Sequence, residues 1–182
     1  NVIEQPALFV GPVDNSFGGG GYFNGNQHLI FDVFTPVQLV SVWVDAQGNN
    51  DRTIELRDNT GTLIQSATIN IPDGESRIML NFDLPVGTNL QLGTLNGSSP
   101  SLFRNNSGPS YPYDLPGVLS ITGSSATAAD YYYFFYDWEI QTSPCLSPFT
   151  NVIATVNPST QSTDTQVSCG SFTWIDGNTY SS

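Results

Sequence analysis

Short runs of alternating apolar and polar residues, each ended by a turn-forming residue, constrain this fold more than any other feature of the sequence. Apolar side chains repeat at every second residue, as at Val40, Val42 and Val44. Gly, Asn, Asp or Pro interrupts every run within about ten residues. No segment has the three- to four-residue repeat of a long amphipathic helix. The chain is therefore predicted to be all-β.

Turn chemistry separates the predicted strands, because Asn, Asp and Gly tolerate the positive φ that tight turns need. We expect strands at residues 28–34, 37–45, 53–57, 63–71, 77–84, 89–95, 118–122 and 131–140, with a short one at 102–104. The five strands from residue 37 to residue 95 are predicted to form a regular meander. Together the strands predict a two-sheet antiparallel β-sandwich of jelly-roll type, with a closed barrel as the second choice.

A change of composition predicts a domain boundary. After Gln141 the chain is rich in Ser, Thr, Pro and Asn. We expect a jelly-roll-like binding module over residues 1–142, and over residues 143–182 a linker followed by the beginning of an Ig-like or repeat module. The first six residues have no signal-peptide character, so a leader is expected to have been removed or to lie upstream.

Charge and cysteine content indicate an extracellular protein. Sixteen acidic residues against four arginines, with no lysine, give a net charge of -12, which repels nucleic acid and anionic membranes. No apolar run is long enough to span a bilayer. Cys145 and Cys169 predict one disulfide in an oxidising compartment, and zinc is disfavoured because His28 is the only histidine. We expect a secreted or outer cell-surface location.

Two stretches resemble parts of very long secreted surface proteins of the Bacteroidota, many exported by the type IX pathway. The tail at 169–180, Cys-Gly-Ser-Phe-Thr-Trp-Ile-Asp-Gly-Asn-Thr-Tyr, resembles a short repeat of those proteins. An uncharacterised β-sandwich module of the same proteins is similar to the segments at 52–58, 72–77, 81–82, 85–87 and 134–140. The resemblance implies a surface location and neighbouring modules of a longer chain as partners. It implies no catalytic residue.

Few combinations of residues in this sequence could catalyse a reaction. A nucleophile would need a base beside it, and His28 lies in a predicted strand with no nucleophile-elbow motif around it. Paired carboxylates could cleave glycosidic bonds, yet most of the acidic residues lie in turns, where turn geometry explains them. We therefore predict that the chain is not an enzyme.

The aromatic run from Asp130 to Ile140 is the most unusual segment. On a single strand Tyr132, Phe134, Tyr136, Trp138 and Ile140 would face the core. The opposite face would carry Tyr131, Tyr133, Phe135, Asp137 and Glu139. Tyrosine suits sugars because its ring stacks on a pyranose while its hydroxyl forms hydrogen bonds. Tyr131 and Tyr133 are therefore candidate ligand-binding residues; the alternative is that both faces are buried.

A long loop and a strand tryptophan supply the other candidates. Arg104 and Asn105, with Tyr111 and Tyr113, offer a guanidinium, an amide and two rings, and the arginine is compatible with an acidic glycan. The alternative is a self-packing loop in which Arg104 pairs with Asp114. Trp43 shares a strand face with Ser41 and Asp45. It is either exposed for binding or covered by a loop.

The many carboxylate and amide oxygens of the sequence are compatible with a structural Ca²⁺ ion. Jelly-roll binding modules often bind Ca²⁺ where the first and last strands meet, so Glu4, Asp14 and Asp137 are the candidate ligands. No segment has the spacing of an EF-hand loop, and plain solubility is the alternative explanation of the acidic surface.

Three functions are compatible with these features. The first is a non-catalytic extracellular binding or adhesion module that binds polysaccharide or a cell-surface glycan for a larger surface protein or enzyme. The alternative is a structural spacer in a bacterial surface filament or stalk. The third is a catalytic polysaccharide-active domain. Exposure of the candidate rings distinguishes the first two.

Overall fold

The computed structural model describes residues 6–128, 130–142, 163, 165, 167 and 169–181. The chain divides into two units, Asn1–Leu146 and Ser147–Ser182, which are described one at a time. Among the described residues, no helix has the length and apolar character needed to cross a membrane.

The described part of the first unit is built almost entirely of short strands, joined by turns and one 3-10 turn at Asn15–Phe17. The strands are β1 (Leu8–Val10), β2 (Gly20–Phe23), β3 (His28–Val33), β4 (Val37–Ala46), β5 (Asn50–Arg57), β6 (Leu63–Ile71), β7 (Gly74–Leu84), β8 (Gly87–Thr94), β9 (Leu102–Asn105), β10 (Tyr113–Leu115), β11 (Leu119–Ser124), β12 (Tyr132–Tyr133) and β13 (Tyr136–Thr142).

These strands form two antiparallel sheets. The first sheet has the order β1, β13, β4, β9 and β12, with β2 also paired to β9 and β7 to β4. The second has the order β10, β11, β3, β8, β5 and β6. The inner faces of the two sheets enclose one core, so the predicted all-β sandwich is confirmed.

Strand pairing is nested around the β5–β6 hairpin. Outside that hairpin β4 pairs with β7, β3 with β8, and β2 with β9, all antiparallel. This is the connectivity of a jelly roll, in which a folded double ribbon wraps into two sheets.

The predicted meander is wrong, although its five strands are present. Between β4 and β8 only β5 and β6 are both consecutive in the chain and paired to each other. Each of the other turns carries the chain to the opposite sheet. Turn residues alone could not reveal this, since Gly, Asn and Asp occur both in hairpin turns and in connections that cross to the other sheet.

Aromatic side chains join the two sheets in the core. Phe31 on β3 meets Trp138 on β13 edge to face, with ring centroids 5.0 Å apart, and both side chains are fully buried. Burying a large apolar side chain contributes about 1.5–3 kcal/mol. The sandwich therefore has a continuous core between its sheets.

The aromatic run does not form the single strand expected at 131–140. It is two strands, β12 and β13, separated by Phe134 and Phe135, and Phe134 has the left-handed φ of 67°. Because β12 pairs with β9 while β13 pairs with β4 and β1, the chain must change partners within two residues. All five residues from Tyr132 to Tyr136 are buried. The assignment of alternate residues to one exposed and one buried face is therefore wrong for this segment.

The described residues of the second unit include one small hairpin. Phe172–Thr173 pairs antiparallel with Thr179–Tyr180, and Phe172 contacts Trp174 with ring centroids 5.5 Å apart. The Asp176 carboxylate accepts a hydrogen bond from the Asn178 amide at 2.9 Å, which fixes the turn. That this unit begins an Ig-like or repeat module stays a prediction, because residues 143–162 lie outside the described residues.

Candidate functional site

A groove in the first unit brings together three of the residues singled out from the sequence. We call it the Arg104 groove and define it by its lining: Phe23, Gln27, Arg104, Ala126, Thr127, Ala128, Tyr131 and Tyr133. Phe23, Arg104 and Tyr133 lie on strands of the first sheet, whereas Gln27 directly precedes β3 and residues 126–128 follow β11. Its volume of about 410 Å³ lies within the range of small-molecule sites.

A larger hollow exists elsewhere in this unit but has less suitable chemistry. It has a volume of about 600 Å³ and lies between Gln38, Ile64 and Asp83, among other residues. None of its described lining residues is aromatic or basic. Binding sites need a few convergent polar groups and rings that can stack, so the Arg104 groove is the better candidate.

Strand register explains how Arg104 comes to be in the groove. β9 lies between β2 and β12, and Arg104 pairs with Gly21 on one side and with Tyr133 on the other. Directly paired residues of antiparallel strands share a face. A Cβ atom added to Gly21 would meet no atom within 4 Å, so the space beside Arg104 is open on that side.

Aromatic rings hold the guanidinium. The Arg104 Cζ atom lies 4.5 Å from the ring centroid of Phe23, 4.6 Å from that of Tyr131 and 5.9 Å from that of Tyr133. Tyr131 and Tyr133 are stacked, with centroids 5.9 Å apart and ring planes 13° from parallel. Each cation–π contact contributes about 0.5–2 kcal/mol. The guanidinium is thus fixed before any ligand arrives.

Arg104 has no carboxylate partner among the described residues, unlike two of the other arginines. Arg57 pairs with Glu55, and Arg77 pairs with Asp137. The pairing of Arg104 with Asp114 that we considered as an alternative is not formed. Asp114 instead accepts a hydrogen bond from Ser120 Oγ at 2.5 Å.

Tyr133 is only 3% exposed, yet it forms the groove wall. Burial raises the pKa of its hydroxyl, and the positive charge of Arg104 partly opposes that rise. The hydroxyl is therefore neutral near pH 7, so it can donate as well as accept a hydrogen bond.

Tyr111 and Tyr113 lie behind the groove rather than in it. Tyr111 lines a smaller hollow of about 260 Å³ on which Ala126, Thr127 and Ala128 also border. Its hydroxyl donates a hydrogen bond to the Tyr131 carbonyl at 2.9 Å, and its ring stacks on Tyr132. The Tyr113 hydroxyl accepts from the Ser110 amide. Tyr111 therefore fixes the backbone that carries Tyr131.

Asn105 and Trp43 also lie outside the groove lining. Asn105 is fully buried, and its Nδ2 donates to the carbonyls of Asn15 and Gly18, both at 2.9 Å. Its Oδ1 accepts from the Tyr136 hydroxyl at 2.8 Å. Trp43 is half-buried against the edge of the Tyr136 ring, with centroids 5.4 Å apart. In this structure both residues make contacts that hold the first sheet together.

The described acidic candidates for Ca²⁺ binding make other contacts. Asp14 accepts from the Ser16 amide at 2.8 Å, and the Ser16 hydroxyl and amide together lower the pKa of Asp14. Asp137 pairs with Arg77, and Glu4 lies outside the described residues. In the described part of the chain, no group of three or more His, Cys, Asp and Glu side chains is placed to hold a metal. Calcium binding stays a prediction.

The predicted disulfide concerns a residue that the structure does not describe. Cys169 is exposed and has no disulfide partner among the described residues. Cys145 lies outside the described residues. Their pairing stays a prediction.

Sequence reasoning missed Phe23 and Gln27. Phe23 follows the glycine-rich segment at 17–22, and Gln27 directly precedes a predicted strand. Neither position carried a sequence signal of binding. Phe23 reaches the groove because β2 pairs with β9, and Gln27 because it directly precedes β3. Only the register of β2 with β9 could have identified Phe23.

Comparison of the chain with protein-family models, with curated proteins and with solved structures finds no match in any of the three.

Proposed function

We propose that the first unit is a non-catalytic binding or adhesion module and that the Arg104 groove binds carbohydrate. One observation supports this most: three rings, from Phe23, Tyr131 and Tyr133, meet around one fixed guanidinium in an open groove. Sugar rings need both an apolar surface for stacking and polar groups for their hydroxyls. The groove offers both.

The polar groups of the groove suit sugar hydroxyls. Gln27 can donate from Nε2 while its Oε1 accepts from Ser125 Oγ, Thr127 can donate and accept, and Arg104 can only donate. These side chains lie beside the partly exposed ring of Tyr131. A pyranose stacked on that ring would bring its hydroxyls within reach of the same side chains.

The lining favours binding over cleavage. Among its described residues there is no carboxylate and no histidine, whereas glycoside hydrolysis uses a pair of carboxyl groups. His28 lies on β3, and burial together with the nearby Arg57 lowers its pKa. A polysaccharide-active enzyme is therefore the least favoured of the three functions.

A structural spacer is the second candidate, and the burial of the aromatic run favours it. Tyr132, Phe134, Phe135 and Tyr136 are fully buried, so most of the rings that suggested a sugar surface serve the core. A spacer needs only a stable sandwich. It has no need for an unpaired arginine held among aromatic rings.

The setting of the module is part of the proposal. The resemblance of segments such as 52–58 to modules of Bacteroidota surface proteins supports a secreted or outer-surface location within a longer chain. In that setting the groove would hold the larger protein to polysaccharide or to a cell-surface glycan.

A glycan array probed with the whole chain tests the proposal, with Tyr131→Ala as the groove variant. Loss of the stacking ring is expected to weaken binding about tenfold. Phe34→Ala is the matched control, because Phe34 is an exposed ring outside the groove lining. Tyr133→Phe removes only the buried hydroxyl and is expected to weaken binding less than Tyr131→Ala. An absence of binding to every glycan would favour the spacer.

A further inference from the structure

The four arginines of this chain differ in how their charge is balanced. Arg57 and Arg77 pair with carboxylates, and Arg52 donates only to backbone carbonyls while it is 5% exposed. Arg104 is partly exposed and pairs with no described carboxylate. It is thus the one arginine of the described residues whose charge is met by aromatic rings and the Tyr133 hydroxyl rather than by carboxylates or backbone carbonyls.

The lack of a described carboxylate partner for Arg104 is unusual because the chain is rich in carboxylates. The chain has sixteen acidic residues for four basic ones, so most surface cations have an acidic neighbour available. Asp114, considered from the sequence as a partner, bonds instead to Ser120. An aromatic ring is a weaker partner for a guanidinium than a carboxylate that accepts two hydrogen bonds from it. The net charge of -12 opposes the approach of a polyanion as a whole, but a single anionic group placed at Arg104 gains a charge-assisted contact that a neutral ligand lacks.

The surroundings of Arg104 leave room for such a ligand. Gly21 stands beside it without a side chain, and an added Cβ there would touch nothing. Tyr131 lies at 4.6 Å from the guanidinium and is stacked on Tyr133. A sugar stacked near Tyr131 would bring a charged substituent to the guanidinium. The fixed position of the guanidinium reduces the ordering cost of that contact.

We infer that the Arg104 groove takes a sugar that carries an anionic group, either the carboxylate of a uronic acid or a sulfate ester. This inference rests on the proposed carbohydrate-binding function. The anionic group accepts hydrogen bonds from Arg104 while the sugar ring contacts Tyr131.

Two pairs of polymers that differ only in charge test the inference. Polygalacturonate is compared with the same polymer after reduction of its carboxyl groups, and dextran sulfate with dextran. Isothermal titration of the whole chain should show about 10- to 100-fold tighter binding to the charged member of at least one pair, the range given by one strong charge-assisted contact. The pair that shows the difference identifies carboxylate or sulfate as the group.

Variants at Arg104 assign the preference to the groove. Arg104→Gln should abolish the difference within the pair, whereas Arg104→Lys should keep part of it, since lysine retains the charge but not the planar fork. Arg77→Gln is the control, because Arg77 is an arginine outside the groove lining. The preference of the Arg77→Gln variant for the charged polymer should match that of the unchanged protein.

Each outcome bears on a different part of the proposal. Equal binding to both members of each pair, or binding only to neutral glycans, would overturn the anionic preference and leave the carbohydrate-binding function standing. Binding to no glycan, charged or neutral, would overturn both. A preference that persists in Arg104→Gln would place the anion site elsewhere and overturn this inference.

Discussion

Arg52 and Arg104 show how different the surroundings of the same side chain can be within one fold. Arg52 is buried, and all five of its N–H donors meet backbone carbonyl oxygens, those of Gln47, Gly48, Asn50, Ile71 and Pro100. It thereby joins the turn before β5, the end of β6 and the loop before β9. Arg104 makes no such set of bonds.

Replacing Arg52 should destabilise the fold without affecting the groove. We expect Arg52→Ala to lower the free energy of unfolding by about 2–4 kcal/mol, because several buried carbonyls lose their donors. Arg52→Lys should lose less, since it keeps three donors. Urea unfolding measures both, with Ser66→Ala, an exposed residue of β6, as the control. A loss as small as that of the control would show that water replaces the guanidinium.

Asp58 should make stability depend on pH. Its Oδ1 accepts from Thr60 Oγ1 and from the Thr62 and Thr60 amides, and these bonds lower the pKa of the carboxyl. A lowered folded-state pKa stabilises the protein above the unfolded value, about 3.9, and this contribution disappears as pH falls through the folded value.

The unfolding midpoint in urea, measured between pH 7 and pH 2, checks this. Asp58→Asn should be less stable than the unchanged protein at neutral pH, and the two should converge in acid. Parallel curves over the whole range would mean that Asp58 contributes nothing to the pH dependence.

Individual strands were predicted better from the sequence than their partners were. The strand at Leu63–Ile71 was predicted residue for residue, because turn signals bound it on both sides. The aromatic run was not, since its bend at Phe134 arises from a change of pairing partners. Local patterns record turns and alternation, whereas pairing depends on residues far away in the chain.

The two halves of the aromatic run should respond differently to truncation. Phe135→Ala is expected to cost about 3–5 kcal/mol of stability, because Phe135 is fully buried in the core. Tyr131→Ala should cost much less, since Tyr131 is only half-buried. Thermal unfolding compares the two. Equal losses would show that Tyr131 contributes to the core as much as Phe135 does.

At the scale of the whole molecule, the candidate site was predictable only in part. Arg104, Tyr131 and Tyr133 were identified from residue chemistry, because an arginine near tyrosines suggests sugar binding. Their meeting with Phe23 was not predictable. It depends on the pairing of β2 with β9, the outermost pair of the nest, and no pattern within either strand encodes that register.

Nested pairing also predicts the order of folding. Long-range antiparallel pairs close slowly, so refolding is expected in milliseconds to seconds. The β5–β6 hairpin should form before the pairs outside it. Ile54→Ala on β5 should therefore slow folding, whereas Leu102→Ala on β9 should mainly speed unfolding.

Stopped-flow refolding and unfolding of the two variants measure this, and both residues are fully buried, so both changes are large enough to interpret. A faster unfolding rate for Ile54→Ala with an unchanged folding rate would contradict the proposed order.

The nested order of strand pairing determines when the Arg104 groove is complete. Arg104 lies between Gly21, near the beginning of the described residues, and Tyr133, near the end of the first unit. A chain that emerges progressively, from a ribosome or through a secretion pore, has no complete groove until residue 133 has passed. The proposed carbohydrate ligand would therefore bind the finished sandwich and not a chain of which only the part before residue 133 has emerged.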